Sequence, residues 1–354
     1  MSADDGPDLE WRDLSEVQTG SGLPQSMDGF DPDYADIVEY IIRCTHKIWE
    51  EKAIGLIYTH YAHNTPVHLT DAELYGRDQM VEGTVRTLAA FPDLRLYGDE
   101  VIWSGDDQAG FHTSHRVTWS GHHLGHGVYG SPTGARIQRR EIAHCIVIRN
   151  RIIEEWSVQD ELALVQQLGL DAAELARELS QREAETGFIS PVGTLGEVPR
   201  LSGQHHPPIQ LEADPNDPDA LPGLIYSLIW NARMLNYLSD YYAPDAVVWV
   251  PGNRRLSGHG DLTAYILQLL AAFPDGAVQL EHVMWNGSEE GGYKIAARWT
   301  FQGTHRGPGV YGAPTGKRVR VIGISHFEVS GGQIVREYMV WNEFALLKQL
   351  CWPG

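Results

Sequence analysis

Residues 121–134 read GHHLGHGVYGSPTG and residues 303–316 read GTHRGPGVYGAPTG, identical at ten of fourteen positions. The same offset of 182 residues carries AAFPD at 89–93 onto AAFPD at 271–275, Arg116 onto Arg298, His144 onto His326, and LALVQQL at 162–168 onto FALLKQL at 344–350. One offset shared over such a length marks a tandem duplication, and a unit this long is a whole domain, not a solenoid module. The two copies can therefore be compared position by position. Residues kept in both belong to scaffold or shared function. Positions polar in one copy and apolar in the other are candidates for chemistry confined to one copy.

A chain of 354 residues, 42% apolar and 10% aromatic, can build two ordinary cores. The formal net charge of −20 argues against nucleic acid and against anionic membrane surfaces, which both demand basic patches. Cys44, Cys145 and Cys351 share no CxxC spacing, so neither a zinc ribbon nor a disulfide framework is expected. The first residues, MSADDGPDLEWRD, lack the apolar segment of a signal peptide, and no apolar run is long enough to span a bilayer. A cytoplasmic location is the expectation.

Residues 1–30 read as a flexible acidic arm, 31–178 as the first domain, 179–216 as a linker rich in Gly, Pro and Ser, and 217–354 as the second domain. Within the linker, His205-His206 has nothing to fix its geometry. Helical periodicity runs from Asp33 to about Tyr61, with a break near Ala53–Gly55. A short strand follows at 65–69, then a helix at 76–90 stopped by Phe91-Pro92. Four strands are expected at 95–104, 110–120, 136–149 and 151–160, the last two joined by a turn at Arg149-Asn150, where copy two has Gly331-Gly332. A closing helix begins near Glu161, and 171–185 reads as a charged, exposed helix. Helices followed by a curved antiparallel sheet make each copy an α+β domain.

The order AFPD, G-T-H, PTG, GQIVREY and a closing N-E-x-x-L-L-x-Q-L resembles the SnoaL-like polyketide cyclase family of the NTF2-like superfamily. The resemblance covers about 33–170 and 219–351. It implies two cone-shaped domains, each a curved sheet lidded by N-terminal helices over an apolar pocket, packed as an internal pseudo-dimer, with a further homo-oligomer as an option. It implies cofactor-independent acid–base chemistry of the cyclase, isomerase or lyase type on a small carbonyl or hydroxyl compound, with an aspartate on the late strands as base. Asp160 matches that position in copy one, and copy two has Asn342 there. The alternatives are a hydrolase in which a carboxylate activates water, and a non-catalytic binding or assembly module.

Strand alternation places Asp160 on one face with Trp156 and Val158, an apolar setting that would raise its pKa toward neutrality. The same residue is also a sound N-cap for the closing helix, and Asn342 would cap equally well. In 110–120 the apolar face carries Phe111, Thr113, His115, Val117 and Trp119, and His115 stands where copy two has Ala297. An imidazole on an apolar face can act as acid, base or polariser of a carbonyl. The candidate catalytic set is thus Asp160, His115 and His144, with Tyr58, Tyr61, Thr113, Trp119 and Trp156 as substrate-contacting residues. His144 and His326 are kept in both copies, which also fits shared architecture. Copy one is rich in histidine, yet His112 and His115 point to opposite faces of their strand, and no HExxH or CxxC spacing occurs. No metal and no organic cofactor are expected.

Overall fold

The computed structural model describes residues 25–187, 214 and 216–353. Most of the acidic arm and of the linker, including His205-His206, lies outside them. The first copy runs α1 (Ile37–Trp49), α2 (Ile57–His60), β1 (Pro66–His68), β2 (Glu73–Tyr75), α3 (Arg77–Ala90), β3 (Arg95–Asp106), β4 (Gly110–His122), β5 (Arg136–Ile148), β6 (Arg151–Gln159) and α4 (Glu161–Gln167). Helix α5 (Ala172–Glu185) follows. The second copy runs α6 (Leu221–Leu224), α7 (Leu238–Tyr241), β7 (Tyr242–Val250), β8 (Arg254–Ser257), α8 (Gly258–Ala272), β9 (Ala277–Ser288), β10 (Gly292–Thr304), β11 (Arg318–Ser330), β12 (Gln333–Trp341) and α9 (Glu343–Cys351). The two are related by the same sheet order, β2-β1-β6-β5-β4-β3 and β8-β7-β12-β11-β10-β9. The sheets are mixed, not wholly antiparallel as expected, because β1 runs parallel to β6 and β7 parallel to β12. Among the described residues no helix is long and apolar enough to cross a membrane.

Local chemistry accounts for the element ends. Asp36 caps α1 by accepting from the Glu39 N–H, and Asp160 and Asn342 cap α4 and α9 in the same way. Arg149 and Asn150 both adopt positive φ, 46° and 65°, as a two-residue hairpin turn requires. Helix α1 buries Ile37, Val38, Ile41, Cys44 and Ile48 as one stripe over the first sheet. In copy two the corresponding segment continues from α6 as a π-helix over Ile225–Asn231, wholly buried.

The duplicated loop and the duplicated AAFPD meet in space. The Leu124 and Gly125 N–H groups donate to the Ala90 carbonyl at the end of α3, and Arg306 and Gly307 do the same to Ala272. A Cβ on Gly125 would fall 1.7 Å from the Ala89 oxygen, so only glycine fits there. Tyr129 then donates to Glu161 at 2.8 Å, and Tyr311 to Glu343 at 2.8 Å. His123 and His305 each bridge their loop through Thr133 and Thr315. These repeated residues tie one helix end to the closing helix; they are scaffold.

The outer faces of the two sheets pack on each other. Ile142 and Val158 of the first sheet join Ile322, Ile324 and Val340 of the second in one apolar cluster. Beside it the Arg116 guanidinium lies 3.6 Å from the Tyr338 ring centroid and Arg298 lies 3.4 Å from that of Trp156. These are equivalent pairs exchanged between the copies, the signature of a pseudo-two-fold interface. Helix α5 docks Leu179 and Ala176 beside Phe344 of α9, and Ser180 donates to the Lys348 carbonyl. It is therefore half-buried, not exposed as its charge suggests.

The copies differ in their interiors. In copy two the ring of Trp299 lies over Gly323, and a Cβ there would come within 2.2 Å of it. Gly323→Ala is expected to destabilise the protein by about 1–3 kcal/mol through overpacking, read as a lowered denaturation midpoint. An unchanged midpoint would contradict this packing.

Candidate active site

Between the first sheet and its helices lies a cavity of about 290 Å³, near the lower end for small-ligand pockets. Ile41, Cys44 and Ile48 of α1 and Met80, Thr84 and Thr87 of α3 form its roof. Its floor is the inner face of β4, β5 and β6, which supplies Val117, Trp119 and Ala143 and four polar side chains: His115, Glu141, Glu155 and Ser157. Gln159 and Tyr61 complete the wall. In copy two the equivalent space shrinks to about 20 Å³ and is lined only by Tyr226, Trp230, Leu269, Val278, Trp299, Phe301, Val321, Met339 and Trp341.

Position by position, His115 becomes Ala297, Glu141 becomes Gly323, Ser157 becomes Met339 and Gln159 becomes Trp341. These four polar groups, each replaced in copy two, all face the cavity. The size changes are paired. Gly98 leaves room for His115, whose Nε2 is 3.1 Å from where a Gly98 Cβ would stand; copy two has Leu280 with Ala297.

The electrostatics separate the groups. Burial pushes Glu155 up to about 7; the Tyr61 hydroxyl, donating to it at 2.8 Å, opposes this and the Glu141 charge adds to it. Burial also raises Glu141, but Arg139 and hydrogen bonds from Ser157, at 2.9 Å, and Gln159 draw it back. Glu141 is therefore the carboxyl that ionises first, and Glu155 the one that keeps its proton toward neutrality. Burial drives His115 down to about 3, with His326 and Arg116 adding to the effect, so its imidazole is neutral. Among the described residues, Glu141 Oε2 and His115 Nε2 are buried without a hydrogen-bond partner.

The expected site residues divide between two faces. His115, Tyr61 and Trp119 line the cavity. Thr113 is fully buried on the same strand, beyond the cavity wall. Tyr58 is 44% exposed and holds a cation–π contact with Arg77. His144 and Trp156 lie on the opposite face, against copy two, where Trp156 meets Arg298 and His144 meets His282. Asp160 is not in the cavity either. Its carboxylate caps α4 through Ala163 and accepts from the Gly252 and Asn253 N–H groups at 2.7 and 2.9 Å. A carboxylate holding three N–H donors from two domains, outside the cavity lining, is a joint between those domains.

Alternation along β6 does not separate pocket from interface, for two physical reasons. The face of β6 carrying Trp156 and Val158 is apolar because it meets the second sheet, not because it lines a pocket. A bulge opposite Ile146/Val147 also breaks the period, so Ile152 and Glu155, three apart, both reach the cavity. Glu141 was accessible to the same copy comparison that singled out His115, since Gly323 replaces it. Glu155 was not, because Glu337 is kept in copy two, where Tyr242 donates to it at 2.7 Å.

Each half of the chain is thus a six-stranded α+β cone, and one of the two encloses a cavity walled by carboxylates. The SnoaL-like polyketide cyclase family model matches residues 39–168 and 224–350, and the chain belongs to that family. Among solved structures it is similar to a protein of Jannaschia sp. CCS1 (18% identity, 43% of this chain and 99% of the other, TM-score 0.35). AclR of Streptomyces galilaeus (23%, 38% and 83%, TM-score 0.33) and IdmH of Streptomyces antibioticus (21%, 38% and 98%, TM-score 0.33) are also similar. No curated protein sequence shows significant similarity to the chain.

Asp160→Asn keeps the helix cap but sets an amide N–H₂ against a backbone N–H of the Gly252-Asn253 pair. It is expected to lower stability by about 1–3 kcal/mol, the cost of an unmet buried donor, while ligand binding in the cavity is unchanged. Denaturation and a binding titration on the same variant check both. Intact stability with lost binding would return Asp160 to the site.

Proposed function

We propose that the first domain is a cofactor-independent acid–base catalyst that closes or isomerises a small carbonyl compound, and that the second domain is its structural partner. The observation that carries this reading is the convergence of Glu141, Glu155 and neutral His115 on one open cavity whose counterpart in copy two is filled. Glu141, ionised and with one oxygen unpartnered, takes a proton from a carbon next to a carbonyl. Neutral His115 hydrogen-bonds the oxygen on which negative charge develops, stabilising the enolate without donating a full charge. The enolate carbon then attacks a second carbonyl of the same molecule, and Glu155, still protonated, delivers its proton to the new alkoxide. Two carboxyls whose surroundings push their pKa values apart divide the acid and base roles in this way. Tyr61 fixes the Glu155 rotamer, and the apolar roof excludes water from the enolate.

The base can be tested before the natural substrate is known. An aromatic 1,3-diketone in D₂O exchanges the hydrogens between its carbonyls, and NMR follows the rate. The native protein is expected to accelerate exchange, and Glu141→Gln to lower the accelerated rate by about 10²–10⁴-fold, the usual contribution of a positioned base. Unchanged exchange in Glu141→Gln would refute the assignment.

A pH profile tests the acid. Glu155 works protonated, so kcat/KM for cyclisation should fall as pH rises through about 7, and Glu155→Gln should abolish that limb. A limb that persists in the variant belongs to another group and contradicts this role.

A further inference from the structure

The pseudo-two-fold interface carries two equivalent spots that are filled differently. On one side a carboxylate, an ammonium and an imidazole gather: Lys294 Nζ is 3.3 Å and His326 Nδ1 3.8 Å from Glu100, and Ser114 Oγ is 2.8 Å from His326 Nε2. The offset of 182 turns these into His282, His112 and His144, with Ala296 in place of Ser114. Charge is thereby removed from all but the histidine position, and three imidazoles converge from two domains. His112 and His282 stack at 4.7 Å between ring centroids, and His144 meets His282 edge-on at 4.8 Å.

Three nitrogens there are buried with no hydrogen-bond partner among the described residues: His112 Nδ1, His144 Nε2 and His282 Nδ1. His144 is 1% exposed, so water does not serve it freely. One ligand atom from each imidazole lies within 4.8 Å of the others. We propose that His112, His144 and His282 form an interdomain site for a divalent transition-metal ion, zinc foremost, that clamps β4 and β5 to β9.

Imidazole nitrogen is a preferred ligand for zinc, and three such ligands with a water complete a four-coordinate site. Zn–N bonds of about 2.0–2.1 Å require the three atoms to draw together, and His112 and His282, both half-buried, have room to turn. The neighbouring charges are Arg298, held by Glu281 at 3.2 Å, and Glu154, held by His68 at 2.9 Å. The Arg298 charge opposes a cation; its ion pair with Glu281 and its place over Trp156 temper that repulsion. The site lies on the face of β4 and β5 opposite His115 and Glu141, so it stands or falls separately from the cavity chemistry.

The test uses the full chain after chelator treatment, with Zn²⁺ and Co²⁺ as probes. One ion per chain should bind, the denaturation midpoint should rise with Zn²⁺ concentration, and Co²⁺ should show the intense visible bands of a four- or five-coordinate imidazole site. His112→Gln and His282→Gln should each weaken binding by more than about 100-fold, beyond the ~10–100-fold that outer-shell changes cost. The loop variant His126→Ala should bind as the native chain does. Metal-free midpoints of the variants confirm that they fold; should either fail, the native stoichiometry and Co²⁺ spectrum decide. No bound ion at saturating Zn²⁺, a weak six-coordinate Co²⁺ spectrum, or binding that survives both histidine variants would overturn the proposal.

Discussion

Each sheet in this protein is buried on both faces, and that constraint shapes everything else. One face holds its own helices and the other holds the second copy, through Ile142, Val158, Ile322, Ile324 and Val340 and the exchanged pairs Arg116–Tyr338 and Arg298–Trp156. Cation–π contacts removed from water are worth on the order of 2 kcal/mol each. The two guanidiniums, which also face Asp99, Glu100 and Glu281, give the interface its register, since a slip by one residue would turn them into the cores.

The apolar centre of the outer faces is committed to pairing, whereas the inner faces are free to diverge. Copy two has spent that freedom on packing: Trp299 folds over Gly323, and Met339 and Trp341 take the places of Ser157 and Gln159. Copy one has kept a cavity and lined it with groups whose burial is unfavourable unless function retains them. Glu141, Glu155 and His115 are each buried; burial raises both carboxyls, Glu155 to about 7, and drives His115 down to about 3. Such groups cluster at sites of chemistry far more often than in purely structural cores. The stability of the filled copy then supports the open one through their shared interface and through Asp160, whose carboxylate is spent on that joint.

The duplication, the α+β class, the helix stops and the hairpin turns were legible because each rests on local chemistry: proline after Phe91, positive φ at Arg149-Asn150, capping at Asp160 and Asn342. His115 was legible because the copies disagree there. The remaining site was hidden for physical reasons. A sheet with two apolar faces gives alternation no way to tell pocket from interface, which drew Asp160, His144 and Trp156 into the wrong one. The bulge in β6 also brings Ile152 onto the cavity face against a strict period of two, while Glu155 keeps the face of Ser157 and Gln159. The parallel bridge of Tyr61 to Ile152 of β6, which sets the Tyr61 hydroxyl beside Glu155, is a long-range contact that no local pattern announces.

The central claim is that the chain has one working cavity and that it lies in the first domain. Equilibrium binding of a fluorescent naphthyl ketone measures this directly, comparing the native chain with Val117→Trp/Glu141→Gly, which copies the Trp299-over-Gly323 packing into domain one. The account predicts one site per native chain and none in the double variant, with the fold retained. Two sites per chain, or unaltered binding in the double variant, would contradict it.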